Sequence, residues 1–250
     1  MRTHRTEEVE RILDRLYENL KSVRKETIEK LGNKDALHII DFHANNWIDI
    51  IKWIVSKYSK EEQMNITIFQ FSRLFKEIYW LQLLFLKGNY PLMYRNLRYI
   101  LELICQAYYV DNKYPSLSLD EQVMKNKEIE TEIYGWKLVK DVIQKVLNYS
   151  ENQVDSEFKL LWIYLNKHAH PSAFQMGIVA TEDFSSLITD SFNETLARDA
   201  LKAVDEVFDI VDMIMFKRFS KIKEIALKYE FLNEWKKFLP NTTRIIRERV

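Results

Sequence analysis

The chain has 250 residues, of which 47% are hydrophobic and 13% aromatic, so it is long enough to bury a sizeable core. Only four glycines and four prolines occur, which disfavours a turn-rich β-sandwich or barrel, and 37 basic residues balance 37 acidic ones. No overall positive charge therefore attracts nucleic acid, and any such binding depends on a local patch. The lone Cys105 excludes an intramolecular disulfide.

Two further features predict where the protein resides. The charged N-terminus has no apolar segment of the kind found in signal peptides. The longest strongly apolar run, residues 78–86, is about half the length of a membrane-spanning helix. Together with the lone cysteine, these features predict a cytoplasmic protein with no membrane partner.

The first half of the chain reads as a series of helices. Apolar periodicity predicts helices over about 6–31, 35–58, 59–87 and 91–110. Gly32 is expected to end the first helix, because glycine commonly follows the last helical residue. Gly88 is expected to end the third helix, and Pro91 suits the first position of the fourth. Residues 111–117 are predicted to form a loop.

The second half continues the pattern. Further helices are predicted from Ser118 with a break near Gly135, from Ser150 to just before Pro171, and from Ser191 to about Tyr229. Short helical pieces are expected over 231–239 and 242–249, and residues 172–190 have no clear period. Four capping boxes, in which a serine is followed three residues later by Glu or Gln, mark helix starts: Ser59 with Glu62, Ser118 with Glu121, Ser150 with Gln153, and Ser191 with Glu194.

No segment alternates long enough to build a sheet, so the fold class predicted is all-α: one bundle of about seven or eight helices. We expect a single domain over residues 1–250, with a core over about 1–171 and an irregular connection over 172–190. The long helix after residue 191 is expected either to pack onto this core or to form a dimer contact.

Two of the five histidines lie in the stretch YLNKHAHPSAF, at His168 and His170. His168 is placed in the last turn of its helix, where the helix dipole favours a charged imidazole. The pair supplies two ligands, whereas a closed zinc site needs four. His38 and His43 lie about 140° apart around their helix and so do not share a face. We therefore predict no metal site and no cofactor.

The fourth helix carries a polar face with four members: Arg95, Arg98, Glu102 and Gln106. Pairing of Arg98 with Glu102 leaves Arg95 for an outside anion, and flanking tyrosines favour a phosphate or a stacked base. Two alternatives remain open: a solvated face with one salt bridge, or arginines that pair with an acidic stripe on the long helix. That stripe consists of Asp205, Asp209 and Asp212, and it either collects a divalent cation or meets a basic partner.

The combination of GNYPLMYRNLRYILE with the later YLNKHAHPS resembles a group of prokaryotic all-helical proteins related to the HEPN superfamily, whose members are often defence components. The matching residues are Gly88, Tyr90, Arg95, Arg98, Glu102, Tyr164, Asn166, His168, His170 and Pro171. Catalytic HEPN proteins share an Arg-x(4–6)-His motif, and a dimer of them cuts RNA. This chain departs from that motif, since residues 161–165 contain no arginine.

The resemblance implies a HEPN-like core and three functions to compare. The first is a non-catalytic binding or sensor module, a homodimer, that holds a nucleotide or other phosphate-bearing ligand with Arg95, Arg98, Glu102, Asn166 and His170. The second is a metal-independent ribonuclease with His168 as the catalytic acid or base and Arg95 or Arg98 on the phosphate. The third is a protein-interaction scaffold without a ligand.

Overall fold

The computed structural model describes residues 2–169 and 192–222, and all the regular structure in these two segments is helical, without a strand. This confirms the all-α multi-helix bundle. The helices are α1 (Arg2–Lys57), α2 (Lys60–Gln63), α3 (Ile66–Leu86), α4 (Tyr90–Lys113), α5 (Leu119–Glu132), α6 (Gly135–Leu147), α7 (Glu151–Ala169) and α8 (Glu194–Arg218). No helix among the described residues is both long and apolar enough to cross a membrane.

Helix α4 lies at the centre of the bundle. It packs against α3, α5, α6, α7 and α8, and most of its side chains are buried. Because its neighbours cover it on nearly all sides, only a narrow strip reaches solvent. Arg95 and Tyr99 are exposed on this strip, while Arg98 and Glu102 are partly buried.

Helix α8 packs into the core. Its buried side chains join one hydrophobic cluster with side chains from α1, α3, α4, α6 and α7. The largest fully buried members include Trp47 of α1, Phe71 of α3 and Phe208 of α8, whose rings contact one another around Trp47 at centroid distances of 5.0 and 4.7 Å. The described part of the long helix therefore packs onto the bundle, which is the first of the two arrangements expected for it.

The two helices predicted over 6–31 and 35–58 form a single helix. Helix α1 continues from Arg2 to Lys57 through Gly32, so the expected end at Gly32 is wrong. Gly32 does not adopt the positive φ that a helix-ending glycine has, unlike Gly88 and Gly135. A glycine inside a helix costs only about 1 kcal/mol relative to alanine, which the packing of a long helix outweighs.

The predicted helix over 59–87 is interrupted near its start. The Ser59–Glu62 capping box begins the four-residue helix α2, and the chain then starts α3 anew at Ile66. Asn65 caps α3, because its side-chain oxygen accepts the N–H of Ile68 at 3.0 Å. The side chain of Gln122 accepts the N–H of Ile66 at 2.9 Å, so α5 also stabilises this second start.

The remaining helix ends agree more closely with the prediction. The capping boxes at Ser118 and Ser150 form as expected, and α5 and α6 separate just before Gly135. Helix α4 runs to Lys113, three residues into the predicted loop.

The helix predicted to begin at Ser191 differs from its prediction at both ends. Helix α8 begins at Glu194 with Asn193 as its cap, and it ends at Arg218 rather than near Tyr229. Ser191, the irregular stretch over 172–190 and the pieces predicted over 231–239 and 242–249 lie outside the described residues.

Candidate functional site

Arg98 and Glu102 form the ion pair expected on the polar face of α4. The guanidinium group of Arg98 donates to Glu102 Oε1 through Nη2 at 3.1 Å and Nε at 3.3 Å. On its other side, the guanidinium lies over the ring of Trp162 of α7, 5.2 Å from its centroid. Arg98 is thus held between a carboxylate and an aromatic ring, in a geometry that favours a fixed orientation.

The four predicted members of the polar face differ in their surroundings. Arg95 is exposed and forms no ion pair with another described residue, so its side chain is accessible to an anion from solvent. Gln106 is buried and donates to the backbone oxygen of Asn126 in α5 at 3.0 Å, which gives it a structural role. The polar face is therefore divided along α4, with an accessible part near Arg95 and a buried part near Gln106.

Helices α4 and α7 run antiparallel. Arg98 contacts Trp162, whereas Tyr94, one turn earlier in α4, has its hydroxyl 3.1 Å from that of Tyr164, which lies later in α7. Tyr94 also donates to the backbone oxygen of Leu196 in α8 at 3.3 Å. Burial, followed by the contact with Tyr164, raises the pKa of the Tyr94 hydroxyl, so this tyrosine remains a neutral hydrogen-bond donor.

The predicted site residues on α7 are only partly described. Helix α7 extends to Ala169, as expected, which places residue 168 in its last turn. Asn166 is partly buried and lies one turn beyond Trp162 on the same side of the helix. The side chain of His168 and the whole of His170 lie outside the described residues, so their convergence with Arg98 and Glu102 stays a prediction.

A cleft of about 430 Å³ opens between α3, α4, α5 and α6. Glu102 and Gln106 contribute from α4, and the remaining polar and aromatic lining comes mainly from Gln70, Arg73, Tyr99, Asn126, Lys127 and Tyr134. Tyr99 is 42% exposed and Tyr134 is 75% exposed, so both rings are accessible at the rim. Sequence reasoning found Glu102 and Gln106 but missed the other side of the cleft, because α3, α5 and α6 contribute residues with no common spacing.

The cleft contains an unsatisfied amide. Asn126 is 8% exposed, and its Oδ1 atom makes no hydrogen bond with any described residue. A buried amide oxygen without a partner costs about 1–3 kcal/mol, so such atoms are uncommon in folded proteins unless a ligand or water completes them. Asn126 is part of the cleft wall, so a rotation of its amide would bring this buried oxygen to a polar group placed in the cleft.

A second polar cluster joins α1 to α8. His43 is fully buried, and its Nε2 atom lies 3.2 Å from Asp205 Oδ1. Its Nδ1 atom lies 3.8 Å from Oδ2 of the fully buried Asp212, whose Oδ1 accepts the indole N–H of Trp47 at 2.8 Å. Asp209 completes the group. One ligand atom from each of His43, Asp205 and Asp209 lies within 4.8 Å of the other two.

The charge state of His43 follows from these neighbours. Burial by itself lowers the pKa of the imidazole, but the hydrogen bond with Asp205 and the negative charges of Asp212 and Asp209 nearby outweigh it and raise the pKa to about 9. Burial raises the pKa of Asp212, partly offset by His43 and Trp47. The acidic stripe predicted from the sequence thus meets a histidine of α1, instead of the arginines of α4. The signal that sequence reasoning missed is the i, i+4 pair of His43 and Trp47, which places both polar nitrogens on one helix face.

No protein-family model matches this chain, and neither a curated protein nor a solved structure is similar to it at a significant level. The resemblance to HEPN proteins accordingly rests on the motifs in the sequence alone.

Proposed function

We propose that the protein is a non-catalytic binding or sensor module for a nucleotide or a similar phosphate-bearing aromatic ligand, and that the cleft between α3, α4, α5 and α6 is its binding site. The observation that carries the proposal is the buried Asn126 amide in this cleft, whose Oδ1 atom makes no hydrogen bond with any described residue. A volume of about 430 Å³ suits a mononucleotide-sized molecule, since ligand pockets generally span roughly 300–1,000 Å³.

The lining supplies the chemistry that such a ligand needs. Arg73 and Lys127 are exposed cations at the rim, suited to a phosphate group. The rings of Tyr99 and Tyr134 offer faces on which a base can stack, at about 1–3 kcal/mol per base. An asparagine amide both donates and accepts, so Asn126 suits the edge of a base.

Glu102 connects this cleft with the predicted polar face. It lines the cleft and also holds Arg98 against Trp162 of α7. A ligand hydroxyl that donates to Glu102 would compete with Arg98 for the same carboxylate. Occupancy of the cleft would in this way alter the contact between α4 and α7, which is a route by which a sensor module could respond to its ligand.

The test is calorimetric titration of the full chain with AMP, ATP, adenosine and inorganic pyrophosphate. We expect AMP to bind, and Arg73→Glu to weaken binding about tenfold or more, because a charge-assisted hydrogen bond contributes about 1.5–3 kcal/mol. Lys76→Glu is the matched control, since Lys76 is an exposed cation on the same helix that does not line the cleft. Equal binding by the two variants, or no binding of any of these compounds to the wild type, would overturn the proposal.

A ribonuclease that uses His168 is the second candidate, and one observation favours it. The contact of Arg98 with Trp162 holds the arginine face of α4 against the helix whose last turn contains His168. We expect a His168→Ala variant to lose metal-independent cleavage of single-stranded RNA if this function is correct, while Lys167→Ala, its neighbour, retains it. Cleavage that is absent from the wild type, or unchanged in His168→Ala, rejects the candidate.

We also propose a cytoplasmic homodimer with a HEPN-like core, following the resemblance in the sequence. The reduced state expected in the cytoplasm suits Cys105, which is a free, fully buried thiol. Light scattering coupled to gel filtration measures the mass directly. A mass equal to one chain over a broad concentration range would remove the dimer from the proposal.

A further inference from the structure

We propose that His43, Asp205 and Asp209 form a binding site for a divalent transition-metal ion, most suitably Zn²⁺. The site lies between α1 and α8 and is independent of the cleft. Metal sites inside helical bundles are commonly built from side chains on facing helices, with carboxylates and histidines that project inward. Here α1 supplies the nitrogen ligand, and α8 supplies two carboxylates four residues apart on one face.

The distances suit a metal ion. Zinc binds nitrogen and oxygen at about 2.0–2.2 Å, so neighbouring donors around a tetrahedral ion lie about 3.3 Å apart. The Nε2 atom of His43 and Oδ1 of Asp205 are 3.2 Å apart, and the carboxylate of Asp209 lies within 4.8 Å of both. Closing the set around an ion requires the Asp209 carboxylate to move closer to the other two donors.

A second observation is independent of the three ligands. Asp212 is fully buried, and its Oδ2 atom makes no hydrogen bond within the described chain but faces Nδ1 of His43 at 3.8 Å. When a histidine binds metal through one nitrogen, its other N–H almost always donates to a carboxylate, a carbonyl or water. A shift of less than about 1 Å brings this pair to hydrogen-bond length. Asp212 is thus placed to fix the tautomer that directs the Nε2 lone pair toward Asp205 and Asp209.

Two aromatic side chains hold Asp212 and His43 in place. The indole N–H of Trp47 donates to Asp212 Oδ1, and the ring of Phe208 contacts the His43 ring edge-on at 5.0 Å. Such an apolar wall lowers the local dielectric and strengthens the attraction between a cation and the carboxylates. A protonated His43 neutralises the negative charge of one of the three carboxylates, whereas a divalent ion neutralises the charge of two.

The ion has a route to the site, because the Asp205 side chain is 24% exposed whereas that of His43 is fully buried. Solvent therefore reaches the cluster at Asp205, the side from which a water molecule would supply a fourth ligand. A nitrogen and two carboxylate oxygens favour zinc and similar first-row ions over magnesium, which prefers an all-oxygen octahedral shell.

The full-length chain, stripped with EDTA and dialysed, tests the site by calorimetric titration with Zn²⁺ and by metal analysis of the product. We expect one zinc per chain in the wild type, with a dissociation constant in the micromolar range or tighter, and no displacement by an equal concentration of Mg²⁺. Asp205→Asn is expected to weaken zinc binding at least about tenfold, since it removes a charged ligand at a partly exposed position. The matched control is Glu206→Gln, the neighbouring acid on α8, which is expected to bind zinc like the wild type.

A double variant, His168→Ala with His170→Ala, separates this site from the other histidine pair of the chain. Retention of zinc by this variant together with its loss from Asp205→Asn places the ion at His43. Failure of the wild type to bind zinc, equal binding by Asp205→Asn, or loss of binding from the double variant would each refute the proposal. Circular dichroism of every variant confirms that the helical fold is intact.

Discussion

At the scale of single residues, His43 has surroundings that are unusual for a histidine side chain. It is fully buried, yet three aspartates of α8 surround it, and their attraction outweighs the cost of burial. In protein without metal, the imidazole is therefore charged at neutral pH, and the charge helps to hold α1 against α8. Burial of a charge stabilises a fold only when its partners are well placed, which makes this contact sensitive to pH.

We predict that the EDTA-treated protein loses stability as the pH rises from about 6.5 to about 9. The pKa of His43 is raised to about 9 in the folded chain, against 6.5 for an unperturbed imidazole. A raised histidine pKa adds stability that is fully present below the unfolded value and disappears as the pH passes the folded value. The expected loss is on the order of 3 kcal/mol at most.

Urea unfolding followed by circular dichroism at several pH values measures this loss. The control is His43→Gln, which cannot titrate and should show a flatter profile over the same range. A wild-type profile that is flat between pH 6.5 and 9, or equal slopes for both proteins, would contradict the prediction.

At the scale of helices, the clearest question concerns α1, where Gly32 lies inside a helix of 56 residues. We predict that Gly32→Ala raises the free energy of unfolding by up to about 1 kcal/mol, because alanine favours a helix interior more than glycine does. Gly135→Ala should have the opposite effect, since Gly135 has a φ of 59°, where an added Cβ is strained. Thermal melts of the two variants measure both changes. A loss of stability in Gly32→Ala would mean that this glycine ends a helix after all.

The same helices show which features a sequence can predict. Capping serines such as Ser118 and Ser150 act through residues three positions away, so local sequence contains the whole signal. The prediction that Gly32 ends a helix is wrong because a glycine can either end a helix or lie inside one. Packing against distant parts of the chain decides between these two conformations. The break at Asn65 depends partly on Gln122, a residue of α5 that lies far away in the chain.

The candidate sites also contain some features that local sequence predicts and others that depend on distant residues. The Arg98–Glu102 pair was predictable from a spacing of four residues, and it forms. The His43 cluster joins residues about 160 positions apart, and the cleft draws on four helices, so neither leaves a pattern in one segment. The acidic stripe on α8 was visible in the sequence, but its partner was not.

At the scale of the whole molecule, helix packing depends on a few buried ionic contacts as well as on the hydrophobic cluster. Asp111, near the end of α4, is 2% exposed and accepts from Arg218, the last residue of α8, at 2.5 and 3.2 Å. The hydroxyl of Thr67 in α3 also donates to it at 2.9 Å. One buried carboxylate thus connects three helices at one end of the bundle.

We predict that Arg218→Met lowers the free energy of unfolding by about 3–5 kcal/mol, because it leaves the buried carboxylate of Asp111 without its charged partner. Arg198→Met is the matched control: Arg198 pairs with Glu194 on the same helix, but both side chains are at least half exposed, so a loss below about 1 kcal/mol is expected. Adding Asp111→Asn to Arg218→Met should recover part of the stability, since it removes the uncompensated charge. Urea unfolding of the three variants distinguishes this cause from lost packing. If the second substitution recovered nothing, the ionic contact would not be what holds α4 and α8 together at this end.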